Sequence, residues 1–220
     1  MMKGAIFDVD GTLLDSMPIW TDVGARYLRS LGLVPEDGLG DKLFALTMAE
    51  GADYLNRTYG LQREIPRIVA EINAIVEEFY FREAPLKPGA MELLNQMRTA
   101  GMKLSVATST DLHLIEGAFR RLGIREYFSE IFTCSQVGAG KDKPLIYEMA
   151  AQAMGTAPVE TCVLEDALHA LETAKRAGFF TIGIYDEVSA ARQEALRKEA
   201  DLYGKSLNEI LEKLKEEQKL

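Results

Sequence analysis

The sequence predicts an α/β fold: a doubly wound, mostly parallel sheet with an α-helical domain inserted after the first strand. Short apolar runs at 4–9, 103–108, 130–134, 161–164 and 181–185 alternate with helical patterns, which is the rhythm of βα units around a parallel sheet. That rhythm breaks once, over residues 16–86, where no period-2 pattern occurs. The 220 residues, 47% of them hydrophobic, suffice for one full core and a small second lobe. The expected division is therefore a sheet domain of residues 1–15 and 87–220 and a helical insertion of residues 16–86.

The elements carry local signals. In the insertion, Ile65, Ile68, Val69, Ile72, Ile75, Val76 and Phe79 recur at helical spacing and form one apolar stripe. Residues 83–89 hold two prolines and a glycine and read as the linker back to the sheet. Pro144 marks a first helical turn, and Gly101, Gly123, Gly155 and Gly178 follow apolar-periodic segments as expected of helix ends. Beyond the fifth strand the sequence predicts a charged helix over 187–200, a short connection from Asp201, and a last helix from Ser206, whose spacing to Glu209 suits a capping box.

Composition excludes several function classes. The net charge of −9 leaves no positive field to gather nucleic acid or anionic lipid, so neither is an expected partner. No run is long enough to span a bilayer, and Met1-Met2-Lys3 leads directly into a strand with no secretory leader pattern. Cys134 and Cys162 both lie in apolar runs and read as buried thiols in a reducing, cytoplasmic setting.

The string Asp8-Val9-Asp10-Gly11-Thr12 closes the first strand. Such a pattern arises by chance in roughly a few of a thousand chains this long, so it is specific. Residues two apart on an extended segment project to the same side, and open α/β sheets bind ligands beyond the carboxyl ends of their strands. Asp8 and Asp10 are thus expected to face one site. Two carboxylates that close need a cation, a shared proton or distinct roles, and phosphoryl transfer accommodates all three. A carboxylate can attack a phosphate whose charge a divalent metal screens, while a neighbouring carboxylic acid protonates the departing alkoxide.

Three further strand ends complete the inventory. Thr108, Ser109 and Thr110 follow the second strand and offer hydroxyls and amides for phosphate oxygens. Lys141 follows the third and can set a point charge between nucleophile and phosphate, with Lys143 as a rival. Glu165 and Asp166 follow the fourth and can complete an oxygen shell for Mg²⁺. The expected partner is a small-molecule phosphate monoester.

These residues resemble the motifs of the haloacid dehalogenase superfamily, in the branch with a helical cap after the first strand of a Rossmann-type core. The resemblance covers nearly the whole chain: residues 8–16 match the first motif, Thr108 the second, Lys141 the third, and Glu165-Asp166 the fourth. It implies that Asp8 forms a phosphoaspartate and that Asp10 serves as general acid and then base. It also implies that Asp8, the Asp10 carbonyl and Asp166 hold Mg²⁺, with Glu165 as a direct or water-mediated ligand. Departures are Lys-Asp-Lys-Pro-Leu at 141–145, and Ala167 and Ala170 where small Ser and Gly are usual.

The family contains dehalogenases, phosphonatases, mutases and phosphatases. Asp10 argues against a dehalogenase, and no residue marks a phosphonatase, for which Lys42 would be the candidate imine former. The main alternative is a β-phosphoglucomutase, whose cap loop carries an arginine for a second phosphate. Here that stretch aligns with residues 44–50, which places Met48 near the arginine's position and favours a monophosphate. Thr47 and Met48 are the expected cap contacts to substrate, whereas Trp20 reads as core. A receiver-like phosphoacceptor domain is a more distant alternative, since it needs neither the insertion nor the D-x-D-G-T string. The assembly expected is a monomer or weak homodimer.

Overall fold

The computed structural model describes residues 1–44 and 46–220. Strand β1 (Gly4–Phe7) is followed by helices α1 (Met17–Ser30), α2 (Leu39–Phe44), α3 (Met48–Tyr59) and α4 (Ile65–Arg82). The chain then builds α5 (Ala90–Thr99), β2 (Lys103–Thr108), α6 (Leu112–Leu122), β3 (Phe128–Thr133), α7 (Cys134–Val137), α8 (Leu145–Met154), β4 (Thr161–Glu165) and α9 (Leu168–Arg176). It ends with β5 (Phe180–Ile184), α10 (Gln193–Glu199), β6 (Leu202–Gly204) and α11 (Leu207–Glu216). Packing divides it into two compact units, one of Met1–Asp15 with Pro85–Leu220 and one of Ser16–Ala84.

The first unit is the doubly wound α/β core. Its six strands run in the order β3-β2-β1-β4-β5-β6, and every pairing is parallel. All four residues of β1 are buried, as a central strand covered on both faces requires. Ile6 packs with Ala107, Val163 and the α8 residues Ile146, Tyr147 and Ala150. Its neighbour Phe7 meets Phe128 edge-on at 5.9 Å, and Phe128 stacks on Phe119 of α6 at 5.2 Å. Alternate residues of one strand thus feed two cores, one on each face of the sheet.

Pro85 and Leu86 belong to this unit because they pair with the segment that follows β1. Leu14 and Leu86 form an antiparallel bridge, Asp15 N–H donates to Pro85 O at 3.0 Å, and Lys87 N–H donates to Leu13 O at 2.8 Å.

In this unit three expectations need correction. The connection expected from Asp201 contains a strand, β6, which pairs with β5; three residues are too few to show a period. The helix expected from 187 is regular only over Gln193–Glu199, preceded by a 3₁₀ turn at Ala190–Arg192. The Asp186 carboxylate accepts from Val188 N–H at 2.9 Å and so holds the intervening residues in a turn. Cys134 is only partly buried because it begins α7 instead of ending β3, whereas Cys162 is buried; both are free thiols.

The second unit is helical. Ile68, Ile72, Val76, Phe79 and Tyr80 are the buried side of α4, and Ile19, Val23, Tyr27 and Leu28 that of α1. Gly40 sets the approach of α2 to α1, since a Cβ built there would lie 2.2 Å from the backbone oxygen of Thr21. A cavity of ≈ 210 Å³ opens among α1, α2 and α3. Trp20 is a wall of that cavity and half-buried, not the core residue that its helical spacing suggested. Among the described residues no helix is long and apolar enough to cross a membrane.

Candidate active site

The site grows from the end of β1. Asp8 N–H extends the ladder to β4 by donating to Leu164 O at 3.0 Å. The chain then turns back over Val9, whose carbonyl accepts from Thr12, Leu13 and Leu14 N–H at 3.2, 2.9 and 2.8 Å. Gly11 carries a φ of 83°, a left-handed conformation that costs glycine little. This turn leaves Asp8 buried and Asp10 half-buried.

Four charged side chains converge although no two neighbouring strands supply them all. Lys141, 6% exposed in a loop after α7, hydrogen-bonds Asp8 Oδ1 and donates to Glu165 Oε1 at 2.6 Å. Glu165 ends β4 and Asp166 follows it, both buried. Asp8, Glu165 and Asp166 each present a carboxylate oxygen within 4.8 Å of the others'. Lys143, the rival to Lys141, is exposed.

Burial dominates the electrostatics. It pushes Asp8 up to about 7; Lys141 opposes the shift, while Glu165 and Asp10 add to it. It raises Asp166 further, to about 9, reinforced by Asp8, Glu165 and Asp186. For Lys141 burial alone favours the neutral amine, but the Asp8 and Glu165 carboxylates outweigh it and hold the side chain as a cation. One amine thus faces three carboxylates, and a hard divalent cation suits the charge that remains. The donor set is all oxygen, and Glu165 Oε2 is buried with no hydrogen-bond partner, as suits a ligand atom.

The remaining expected residues separate. Thr108 is buried at the end of β2, and its Oγ1 accepts from Thr110 N–H at 3.1 Å. Ser109 is exposed, its hydroxyl 3.5 Å from Cys134 Sγ. Thr47 and Met48 lie in the helical unit. Thr47 caps α3, donating from Oγ1 to Glu50 Oε2 at 2.7 Å and accepting from Glu50 N–H at 3.3 Å, so its hydroxyl is already engaged. Met48 begins α3 and lines the cavity. Lys42 pairs with Glu36 at 3.1 Å.

Two polar contacts were not foreseen by sequence, which offered Thr110 only among the hydroxyls for phosphate and did not single out Tyr147. Thr110 donates from Oγ1 to Asp10 Oδ2 at 2.6 Å. Tyr147, on α8, donates from its hydroxyl to Glu165 Oε1 at 3.0 Å. Thr110 stands in a cluster of hydroxyl residues, and its sequence position does not say which one reaches Asp10. Tyr147 sits in an apolar helical run, where periodicity assigns it to the core.

This site on this sheet defines a hydrolase class that comparison identifies. A family model described as haloacid dehalogenase-like hydrolase matches residues 2–178, and the chain belongs to that family. Validoxylamine A 7'-phosphate phosphatase of Streptomyces hygroscopicus subsp. limoneus is 32% identical over 96% of both chains. Phosphorylated carbohydrates phosphatase of Thermotoga maritima is 27% identical over 80% of this chain and 82% of its own. A Thermotoga maritima crystal structure provisionally named β-phosphoglucomutase superposes with a TM-score of 0.87 at 27% identity, covering 98% of this chain and 99% of that one. Within the family, the protein is a phosphoric monoester hydrolase.

Proposed function

We propose that the protein is a Mg²⁺-dependent phosphatase of a small phosphorylated carbohydrate or similar monophosphate, working through a phosphoaspartate on Asp8. The observation that carries this reading is the buried contact of Asp8 with Lys141 inside an oxygen cluster formed with Glu165 and Asp166. Asp8, Glu165 and Asp166, together with the Asp10 carbonyl, would hold Mg²⁺, which supplies charge neutralisation for the phosphoryl group and its attacking carboxylate.

The chain's own residues account for each transfer. An Asp8 carboxylate oxygen forms the bond to phosphorus as the phosphorus–ester oxygen bond breaks, and Asp10 gives its proton to the leaving alkoxide. Asp10, now a carboxylate, takes a proton from water as that water attacks the phosphoaspartate. Phosphate departs and Asp8 is regenerated. Lys141 steadies the negative charge at Asp8 and on the transferring oxygens, with Thr108 and Ser109 as further phosphate contacts at the end of β2.

We assign to the helical unit the role of a cap that sets substrate choice through Thr47 and Met48. Its Met48 in place of an arginine supports a monophosphate, and the names of the two phosphatase relatives support a carbohydrate. The free thiols support a reducing, cytoplasmic setting. We take the working form to be a monomer or weak homodimer. A β-phosphoglucomutase is the second reading, favoured by the name of the similar Thermotoga structure.

The test is phosphate release from sugar, nucleotide and small-acid monophosphates, with Mg²⁺ or chelator, by wild type and Asp8→Asn. Metal-dependent release that Asp8→Asn abolishes supports the phosphatase. Conversion of a β-sugar 1-phosphate to the 6-phosphate without release would move the assignment to the mutase.

A further inference from the structure

We infer that Tyr147 is a positioning residue that fixes the Glu165 carboxylate, directing one oxygen to Lys141 and leaving the other for the acidic cluster. The inference rests on the phosphoryl-transfer reading above. A carboxylate on a flexible side chain can rotate about its terminal torsion and exchange its two oxygens. In this site the exchange is opposed. Oε1 accepts from Lys141 Nζ at 2.6 Å and from the Tyr147 hydroxyl at 3.0 Å, whereas Oε2 is buried with no hydrogen-bond partner.

Lys141 Nζ also hydrogen-bonds Asp8 Oδ1, so the order Tyr147, Glu165, Lys141, Asp8 is one continuous chain of contacts. A shift at Glu165 therefore reaches the nucleophile's amine. Tyr147 is suited to stay still: it is fully buried, its ring lies 6.2 Å from that of Phe179, and it packs on Ile6, Ala107 and Val163 of the sheet. The rigid ring places one donor at a fixed point, and the donor selects which carboxylate oxygen turns toward Lys141.

Tyr147→Phe keeps the ring and removes only the hydroxyl. On the metal-loaded enzyme, with the best monophosphate of the panel, we expect kcat to fall about tenfold with KM within about twofold, as for a group that acts on the transition state alone. Glu165→Gln and Tyr147→Phe should combine less than multiplicatively, since both disturb the same carboxylate. An independent readout is the carboxyl ¹³C resonance of Glu165 in the metal-free protein, which should move or broaden in Tyr147→Phe. An unchanged resonance overturns the inference even if Tyr147→Phe is too unstable for kinetics and must be observed at low temperature. Unchanged kcat, fully multiplicative variants, or a kcat loss tracking a lowered melting temperature would also overturn it. A wild type that releases no phosphate while the Glu165 resonance still responds would remove the phosphatase reading but keep the positioning.

Discussion

Thr110 Oγ1 donates to Asp10 Oδ2 at 2.6 Å, joining the second motif loop to the first across 100 residues of chain. The bond fixes the orientation of the carboxylate proposed to carry the proton. Thr110→Val, close in shape but without the donor, should lower kcat about ten- to a hundredfold and alter KM little, as a hydrogen bond to a charged group is worth roughly 1.5–3 kcal/mol. Steady-state kinetics on the preferred monophosphate decides; unchanged kcat would show that Asp10 needs no such support.

Lys141 and Lys143 should respond in opposite ways. Lys141→Met leaves Asp8 and Glu165 buried without their counter-charge, and loss of one partner of a buried pair costs about 3–5 kcal/mol. Turnover should vanish and the denaturation midpoint should drop. Lys143→Ala, at an exposed position, should keep turnover within about twofold. Equal losses in both variants would reject Lys141 as the site's amine.

The raised carboxylates set a pH dependence for the metal-free protein. Asp8 moves from 3.8 to about 7 and Asp166 from 3.8 to about 9, so the folded state keeps protons that the unfolded chain has released. Stability from these two groups is therefore present at acid pH and declines as pH rises from near 4 toward 9. Melting temperature in chelator should show that decline, and Asp166→Asn should flatten its upper part. Mg²⁺ held at the proposed site would compete with the same protons, so its affinity should rise with pH over this window and offset the loss. A wild-type profile in chelator no steeper than that of Asp166→Asn would contradict the assignment.

Gly40 offers a test confined to the helical unit. The backbone oxygen of Thr21 would lie 2.2 Å from an added Cβ and cannot swing aside like a side chain. Gly40→Ala should destabilise by about 1–3 kcal/mol through overpacking. Gly51→Ala, whose Cβ would meet only Leu43 Cδ2 at 3.6 Å, is the matched control and should be tolerated in the same denaturant titration.

Much of the fold was legible in local signals because buried parallel strands are continuous apolar runs and helix ends are marked by glycine. Gly123 and Gly155 are left-handed caps in the structure as their positions suggested. β6 was not legible, since its identity as a strand comes from pairing with Ile182, Gly183 and Ile184 and not from its own three residues.

The sequence by itself determined the candidate inventory for the proposed chemistry: Asp8 and Asp10 two apart at a strand end, a lysine, and an acidic pair, because covalent spacing and strand direction are local properties. Tertiary structure alone decided which groups touch. It chose Lys141 over Lys143 by burial, tied Asp10 to Thr110, and set Tyr147 behind Glu165. Those choices depend on side chains brought together from segments up to 133 residues apart, between Asp8 and Lys141, where burial strengthens each pairing and makes an unpaired charge costly.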